Sequence, residues 1–214
     1  MKRDSVTIQA QRRYILVERE LEVALVSRLR AGDRTAFDAI YDAFNHRLLR
    51  FLARLAKNRS VAEDLSEETW LRLVSGGEDL QENTRLGPWL FTVARNLYVS
   101  HCRSRAREDS YTADLILLWP SALPQSPFDV ASGNQFEARM EAAIASLPPM
   151  YREVLLLVGV EQLRPLDAAK VCGISPEALR QRLSRARGLI ARFLVDPDPS
   201  KDAVRKEVSH DSRR

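Results

Sequence analysis

The strongest constraint on the fold is a spacing. Phe37, Ile40, Tyr41, Phe44, Leu48, Phe51, Leu52 and Leu55 recur at intervals of three and four. That period winds apolar side chains onto one face of an α-helix. No stretch of useful length alternates apolar and polar residues as a half-buried strand would. The expected fold class is therefore all-α. Gly32-Asp33 marks a start for this helix, and a helix from about Glu18 to Ala31 is expected before it. A third is expected from about Val61 to Val74, with Leu65, Leu71 and Leu73 as apolar contacts and Gly76-Gly77 as its stop. A fourth follows Gly87-Pro88 and runs to about Arg107, with Pro88 suited to a first helical turn.

Punctuation divides the chain. Pro120, Pro124 and Pro127 fall in a stretch, Glu108 to Asn134, with no sustained helical period. It reads as a linker, able to span about 90 Å when fully extended. It also holds an apolar run, Leu115 to Trp119. Past it, Ser146-Leu147-Pro148-Pro149 ends one helix and starts an apolar one from Met150 to about Val160. A short helix Pro165 to Cys172 and a long one from Pro176 to about Leu194 follow. The expectation is two small helical domains, 21–107 and 136–194, joined by a flexible linker at 108–135. An N-terminal extension (1–20) and a disordered tail (195–214) flank them; the tail carries mixed charge and Asp-Pro-Asp-Pro.

The segment Pro165 to Leu179 has helix-turn-helix chemistry. Ala169 is small where two helices must approach, and Gly173 suits a turn that needs positive φ. Ser175 is a good N-cap, Pro176 fits the first helical position, and Glu177 suits the positive helix end. Such a motif lays its second helix in the major groove. On that helix Leu179, Leu183, Ala186 and Ile190 share the inward face. Glu177, Arg180, Gln181, Ser184 and Arg185 lie opposite, flanked by Arg182 and Arg187. Arg and Gln bond bidentately to guanine and adenine, so this face suits base reading. An ordinary solvated amphipathic helix would show the same wheel, and the capped turn is what favours DNA.

Charge is strongly segregated in the first block. From Val61 to Thr84 there are seven acids and one base, Arg72. From Pro88 to Arg107 there are four Arg and no acid, interleaved with Trp89, Phe91 and Tyr98. An acidic helix repels DNA and should face a basic protein surface. A basic, aromatic helix suits single-stranded nucleic acid, where aromatics stack on unpaired bases. Core packing is the competing role for these aromatics and is expected for at least one. The net charge of +4 averages over both surfaces. Of the 33 basic residues only five are Lys. Arg is the residue of planar contacts to phosphate and guanine, although a GC-rich genome produces the same bias.

This order of segments resembles the extracytoplasmic-function (ECF) sigma factors, compact sigma subunits of bacterial RNA polymerase. Four passages carry the likeness: Ala31-Gly32-Asp33 with Ala36 to Tyr41, Ala62 to Leu73, Pro88 to Asn96, and Leu147 to Leu157 continuing to Ser184-Arg185-Ala186-Arg187. The resemblance implies core polymerase and promoter DNA as partners, with an anti-sigma factor as a further one. It places Asp64, Glu67, Glu68 and Arg72 at the grip on the clamp coiled coil of polymerase's largest subunit. The family's usual Gln at position 67 is Glu here. It places the loop Gly77 to Arg85, with Asp79 and Asn83, where a base flipped from the −10 element is captured. Trp89, Arg95, Asn96, Arg103, Arg105 and Arg107 fall where the melted strand and its backbone are contacted; a frequent acidic residue there is Ser100 in this chain. Ser175, Glu177, Arg180, Gln181, Arg182, Ser184, Arg185 and Arg187 fall where the −35 element is read. The run Arg164 to Asp167 departs from the family's usual serine-aromatic-acidic pattern. The linker is implied to thread the polymerase channel.

Other classes lack support. There is no phosphate-binding loop, dinucleotide glycine pattern or nucleophile elbow. His46, His101 and His210 are scattered, and His101-Cys102 lacks two more ligands at metal spacing. No cofactor, small-molecule substrate or enzyme activity is expected. Cys102 and Cys172 fit a reducing cytoplasm, with Cys172 at a core position. Met1 to Arg13 holds no apolar run like that of a secretory signal, and no stretch is long enough to span a bilayer. The rivals are a stand-alone helix-turn-helix regulator and a sigma-like protein that titrates an anti-sigma factor.

Overall fold

The structure is a computed structural model that describes residues 19–108 and 135–195. The linker with its apolar run, the tail beyond Val195 and all but the end of the N-terminal extension lie outside the described residues. Every element among the described residues is helical: α1 (19–30), α2 (Arg34–Ala56), α3 (Arg59–Gly76), α4 (Leu86–Glu108), α5 (Gln135–Ser146), α6 (Pro149–Leu155), α7 (Pro165–Cys172) and α8 (Pro176–Val195). Each expected helix is present, with ends moved by a few residues.

Local chemistry sets the boundaries. Gly32 has φ of +76° and lets the chain leave α1. Asp33 then caps α2, accepting from the Thr35 amide at 2.9 Å and its hydroxyl at 2.7 Å, with Arg28 Nε at 2.8 Å. These donors hold the Asp33 carboxyl at about 2. Asn58 caps α3 by accepting from the Val61 amide at 3.1 Å. The α2–α3 hairpin lies against α4. Ile40, Leu48, Phe51 and Leu52 of α2 are fully buried, and Phe51 meets Phe91 edge-on at 5.2 Å. Phe91 and Tyr98 are therefore core residues, while Trp89 is only half-buried.

Two expected core positions are not core. Tyr41 is 38% and Leu71 57% exposed. Both lie beyond the edge of the stripe that α2 and α3 bury against each other. Tyr41 lies against Trp70 with ring centroids 4.9 Å apart and planes tilted by 52°, and Trp70 in turn donates to Asn45 Oδ1 at 3.1 Å.

In the C-terminal half, α8 packs on α5, α6 and α7. The apolar helix from Pro149 widens after Leu155 into a π turn, Leu156–Val160. Gln162 then takes φ of +55°, and the Leu163 amide returns to Leu157 O at 2.9 Å. At the helix-turn-helix, Gly173 has φ of +64° and Ile174 N bonds Ala169 O at 3.0 Å. Ser175 Oγ accepts from the Ala178 amide at 3.1 Å. A Cβ on Gly173 would meet nothing within 4 Å. Gly173→Ala therefore tests backbone conformation alone. It is expected to cost about 1 kcal/mol, lowering the thermal midpoint by a few degrees. An unchanged melting curve would contradict this account of the turn.

The two halves also pack directly on each other. Helix α4 lies on α7, and α2 touches α6. Buried residues of both halves form one continuous apolar cluster. Sequence alone gave no sign of this seam.

Candidate nucleic-acid and protein interfaces

Helix α3 presents its acids outward. Glu63, Asp64 and Glu67 are exposed and Glu68 is half-buried. Glu68 pairs with Arg72 at 3.0 Å and Glu63 with Arg59 at 2.7 Å, each one helical turn apart. Arg72 thus sits beside the acidic face and partly neutralises it. Next to these acids runs a groove of about 440 Å³ between α2 and α3, lined by Phe37, Tyr41, Leu49, Trp70, Leu71 and Val74 with Glu63 and Glu67 at its side. The site is an apolar slot rimmed by carboxylates, which fits a helix carrying apolar and basic residues. Sequence reasoning found the rim and missed the slot, because it assigned Tyr41 and Leu71 to the core. The available signal was the excess width of the α2 stripe.

The 77–85 loop is anchored rather than open. Gly77 is buried, and a Cβ there would stand 2.8 Å from Leu73 O. Leu80 is buried beneath the loop, leaving Asp79 and Asn83 exposed at its surface. Arg19 reaches the Asn83 and Thr84 carbonyls, and Arg30 pairs with Glu82 at 3.1 Å. From this loop α4 runs on with Asn96, Ser100, Arg103, Arg105 and Arg107 exposed. Arg95 differs. Its Nε lies 2.6 Å from Glu153 Oε1 on α6, and its side chain is only 18% exposed.

Helix α8 buries Leu179, Leu183 and Ala186. Its opposite face exposes Glu177, Arg180, Gln181, Ser184, Arg185 and Arg187, with Arg182 half-buried. Glu177 pairs with Arg180, orienting that guanidinium, and Arg185 lies 3.4 Å from the Tyr151 hydroxyl. The predicted reading face is thus assembled on one side of one rigid helix.

The thiols are poor nucleophiles. Burial pushes the Cys172 thiol far above its usual range, and the neighbouring Glu153 carboxylate adds to the shift. Burial also raises Cys102. Thiols held protonated react slowly. No group of three or more His, Cys, Asp or Glu among the described residues could hold a metal ion.

Comparison with known proteins shows the family of the chain. The family model for Sigma-70 region 2 matches residues 40–108, and that for Sigma-70, region 4 matches residues 137–190. The chain is 35% identical over 147 residues to the ECF RNA polymerase sigma factor EcfG of Rhodopseudomonas palustris, covering 69% of this chain and 78% of that protein. The chain belongs to the ECF sigma factors. It is also 32% identical to the ECF sigma factor SigM of Bacillus subtilis over 151 residues, covering 70% of this chain and 90% of SigM. Among solved structures it matches the sigma factor RpoE of Bartonella quintana, crystallised with the anti-sigma factor NepR. There the TM-score is 0.59 at 26% identity, over 74% of this chain and 96% of that one. CnrH, solved with the cytosolic domain of CnrY, has the same TM-score at 19% identity over 81% of this chain and 97% of its own, a likeness of fold. As a sigma factor the protein binds core RNA polymerase and directs it to promoter DNA. The family is a family of initiation factors, not of catalysts. No helix among the described residues is long and apolar enough to cross a membrane.

Proposed function

We propose that this sigma factor divides its work among three surfaces in two domains, 21–107 and 136–194. The α3 acids Asp64, Glu67 and Glu68, with Arg72 and the adjoining apolar slot, grip core polymerase. The 77–85 loop, through Gly77, Asp79 and Asn83, receives a base extruded from the −10 element. Extrusion costs a few kcal/mol and is least costly where strands are already opening. Trp89, Arg95, Asn96, Arg103 and Arg105 hold the melted strand. Helix α8 reads the −35 element through Arg180, Gln181, Arg182, Ser184, Arg185 and Arg187, with Ser175 and Glu177 at its start. Catalysis of RNA synthesis stays with polymerase, and the protein works in the cytoplasm.

The observation that carries this reading is the separation of charge. An acidic, apolar-edged α3 stands apart from two Arg-bearing helix faces on α4 and α8. A duplex-binding regulator has no use for the first surface. The RpoE and CnrH structures each hold a partner described as an anti-sigma factor or a cytosolic domain. An anti-sigma factor that competes for the same surfaces is the partner this suggests here. The test is transcription in vitro by core polymerase with and without the purified protein, with the transcripts sequenced. Defined start sites sharing two upstream elements are expected only when the protein is present. Tight operator binding by the protein alone, with no directed transcripts, would replace this reading with that of a stand-alone regulator.

A further inference from the structure

The 77–85 loop is held at both ends by one helix that lies outside it, α1. Packing fixes the entrance. Gly77 is buried, and a Cβ there would stand 3.3 Å from Leu29 Cγ as well as 2.8 Å from Leu73 O. The C-terminal end of α1 therefore lies directly on the first residue of the loop. Charge fixes the exit. Arg19, at the other end of α1, donates to the Asn83 carbonyl and, at 3.3 Å, to the Thr84 carbonyl. Glu22, one helical turn on, accepts from the Leu86 amide at 2.6 Å and holds the Arg19 guanidinium at 2.8 Å. Both side chains are partly buried, at 32% and 19% exposed. The Arg30–Glu82 pair on the same loop is largely exposed, and such a pair adds little.

The contacts at the exit are all to backbone. Within the loop, short turn bonds join Asp79 N to Gly76 O at 3.2 Å and Thr84 N to Gln81 O at 2.9 Å, and Leu80 is buried beneath. The Arg19 fork spans two successive carbonyls, which a planar guanidinium does and an ammonium does not. Because α1 takes the Asn83 backbone, the Asn83 side chain stays exposed, as does that of Asp79. Shape is thus set from α1 while the polar side chains are left for a ligand. An extruded base is read by hydrogen bonds to its edge, which need partners already in place. Ordering backbone residues at the moment of binding costs about 1–2 kcal/mol each.

We infer that Arg19 and Glu22 are positioning residues for base capture: they hold the 83–86 exit of the loop in the shape that recognises the extruded −10 base, before the strands open. The inference rests on the 77–85 loop being the capture site. Neither residue meets the base; both act through the backbone of Asn83, Thr84 and Leu86. Released from α1, the loop is competent in a fraction of molecules only, and affinity for the extruded base falls by that fraction. The α3 acids and the reading face of α8 lie on other elements and keep their affinities.

The test uses holoenzyme assembled from core polymerase and the full chain. The probe is a forked promoter duplex from a start site that the protein directs, single-stranded across its −10 element. Each −10 base is replaced in turn by an abasic site, and binding is titrated. The parent is expected to lose affinity sharply at one position, that of the captured base. The Arg19→Ala, Glu22→Ala protein, whose changes both suit a helix, is expected to bind the intact fork about tenfold more weakly if one loop in ten stays ordered. It should be nearly indifferent to the abasic site at the captured position, with losses at the other positions and affinity for core polymerase unchanged. Arg19→Lys with Glu22 intact should recover part of the discrimination. A double variant that discriminates the captured base as sharply as the parent would overturn the positioning role. So would uniform weakening at every position with reduced core binding, which marks general damage to the domain. A parent with no abasic-sensitive position, or one whose sensitivity survives Asp79→Ala with Asn83→Ala, would instead overturn the assignment of the loop to capture, and the positioning role with it.

Discussion

Arg152→Met is expected to be the most damaging single substitution in the core. Arg152 is 3% exposed, yet its hydrogen bonds among the described residues go to backbone carbonyls and not to an acid. Its guanidinium donates to four carbonyls: Leu147 O at 2.7 Å, Ala145 O at 2.9 Å, Ile144 O at 3.2 Å and Leu55 O at 3.3 Å. These oxygens lie at the C-terminal ends of α5 and α2, where helix carbonyls lack intrahelical donors. A cation there also meets the negative ends of two helix dipoles. Methionine fills similar volume but donates nothing, leaving several buried acceptors bare. The expected loss is about 3–5 kcal/mol, since buried charged hydrogen-bond networks cost that much to break. For a chain of this size the midpoint should fall by about 10–15 °C in a thermal melt. Arg152→Lys should recover less than half, because an ammonium cannot fork across carbonyls from two helices. A loss under about 1 kcal/mol would mean that the freed carbonyls are satisfied in some other way.

Arg152 also shows where sequence reading stops. The helices were legible because their signals are local. Pro149 and Pro176 at helix starts, the Asp33 and Ser175 caps, and the 3–4 spacing from Phe37 to Leu55 each act within a turn or two. The reading face of α8 was legible for the same reason, since a wheel needs one helix only. The role of Arg152 was not, because it depends on two helix ends, one of them 97 residues away. The seam failed for the same cause. Glu153, Glu161 and Asp167 look like ordinary surface acids in sequence, and only the packing of the C-terminal half against the N-terminal helices buries them. Burial pushes the Glu153 carboxyl up, while Arg95 pulls it down. The α2–α3 slot was misread because Tyr41 and Leu71 keep the helical period while pointing past the edge of the buried stripe.

Charge reversal on α3 is expected to move two affinities in opposite directions. Asp64 and Glu67 are exposed, so Asp64→Lys with Glu67→Lys should leave the fold intact. On the polymerase side, the proposed grip would turn from attractive to repulsive at Asp64 and at Glu67, which borders the Leu71–Val74 slot. Like-charge juxtaposition in an interface costs several kcal/mol, so affinity for core polymerase should fall by about a hundredfold or more. On the DNA side, the same change removes two negative charges and adds two positive ones on a surface that otherwise repels phosphates. Non-specific duplex binding should therefore tighten. Its salt dependence should steepen by up to about 0.9 in log–log slope for each new lysine that reaches a phosphate. A polymerase pull-down titration and a duplex-binding titration across salt concentrations measure the two effects. Had the acids been only a solvated helix face, polymerase binding would hold while duplex binding still rose. Loss of both affinities together would indicate damage to the fold and would contradict the placement of Asp64 and Glu67 on a free surface. Opposite movement of the two is the signature of an acidic face kept on a DNA-binding protein for the sake of a protein partner.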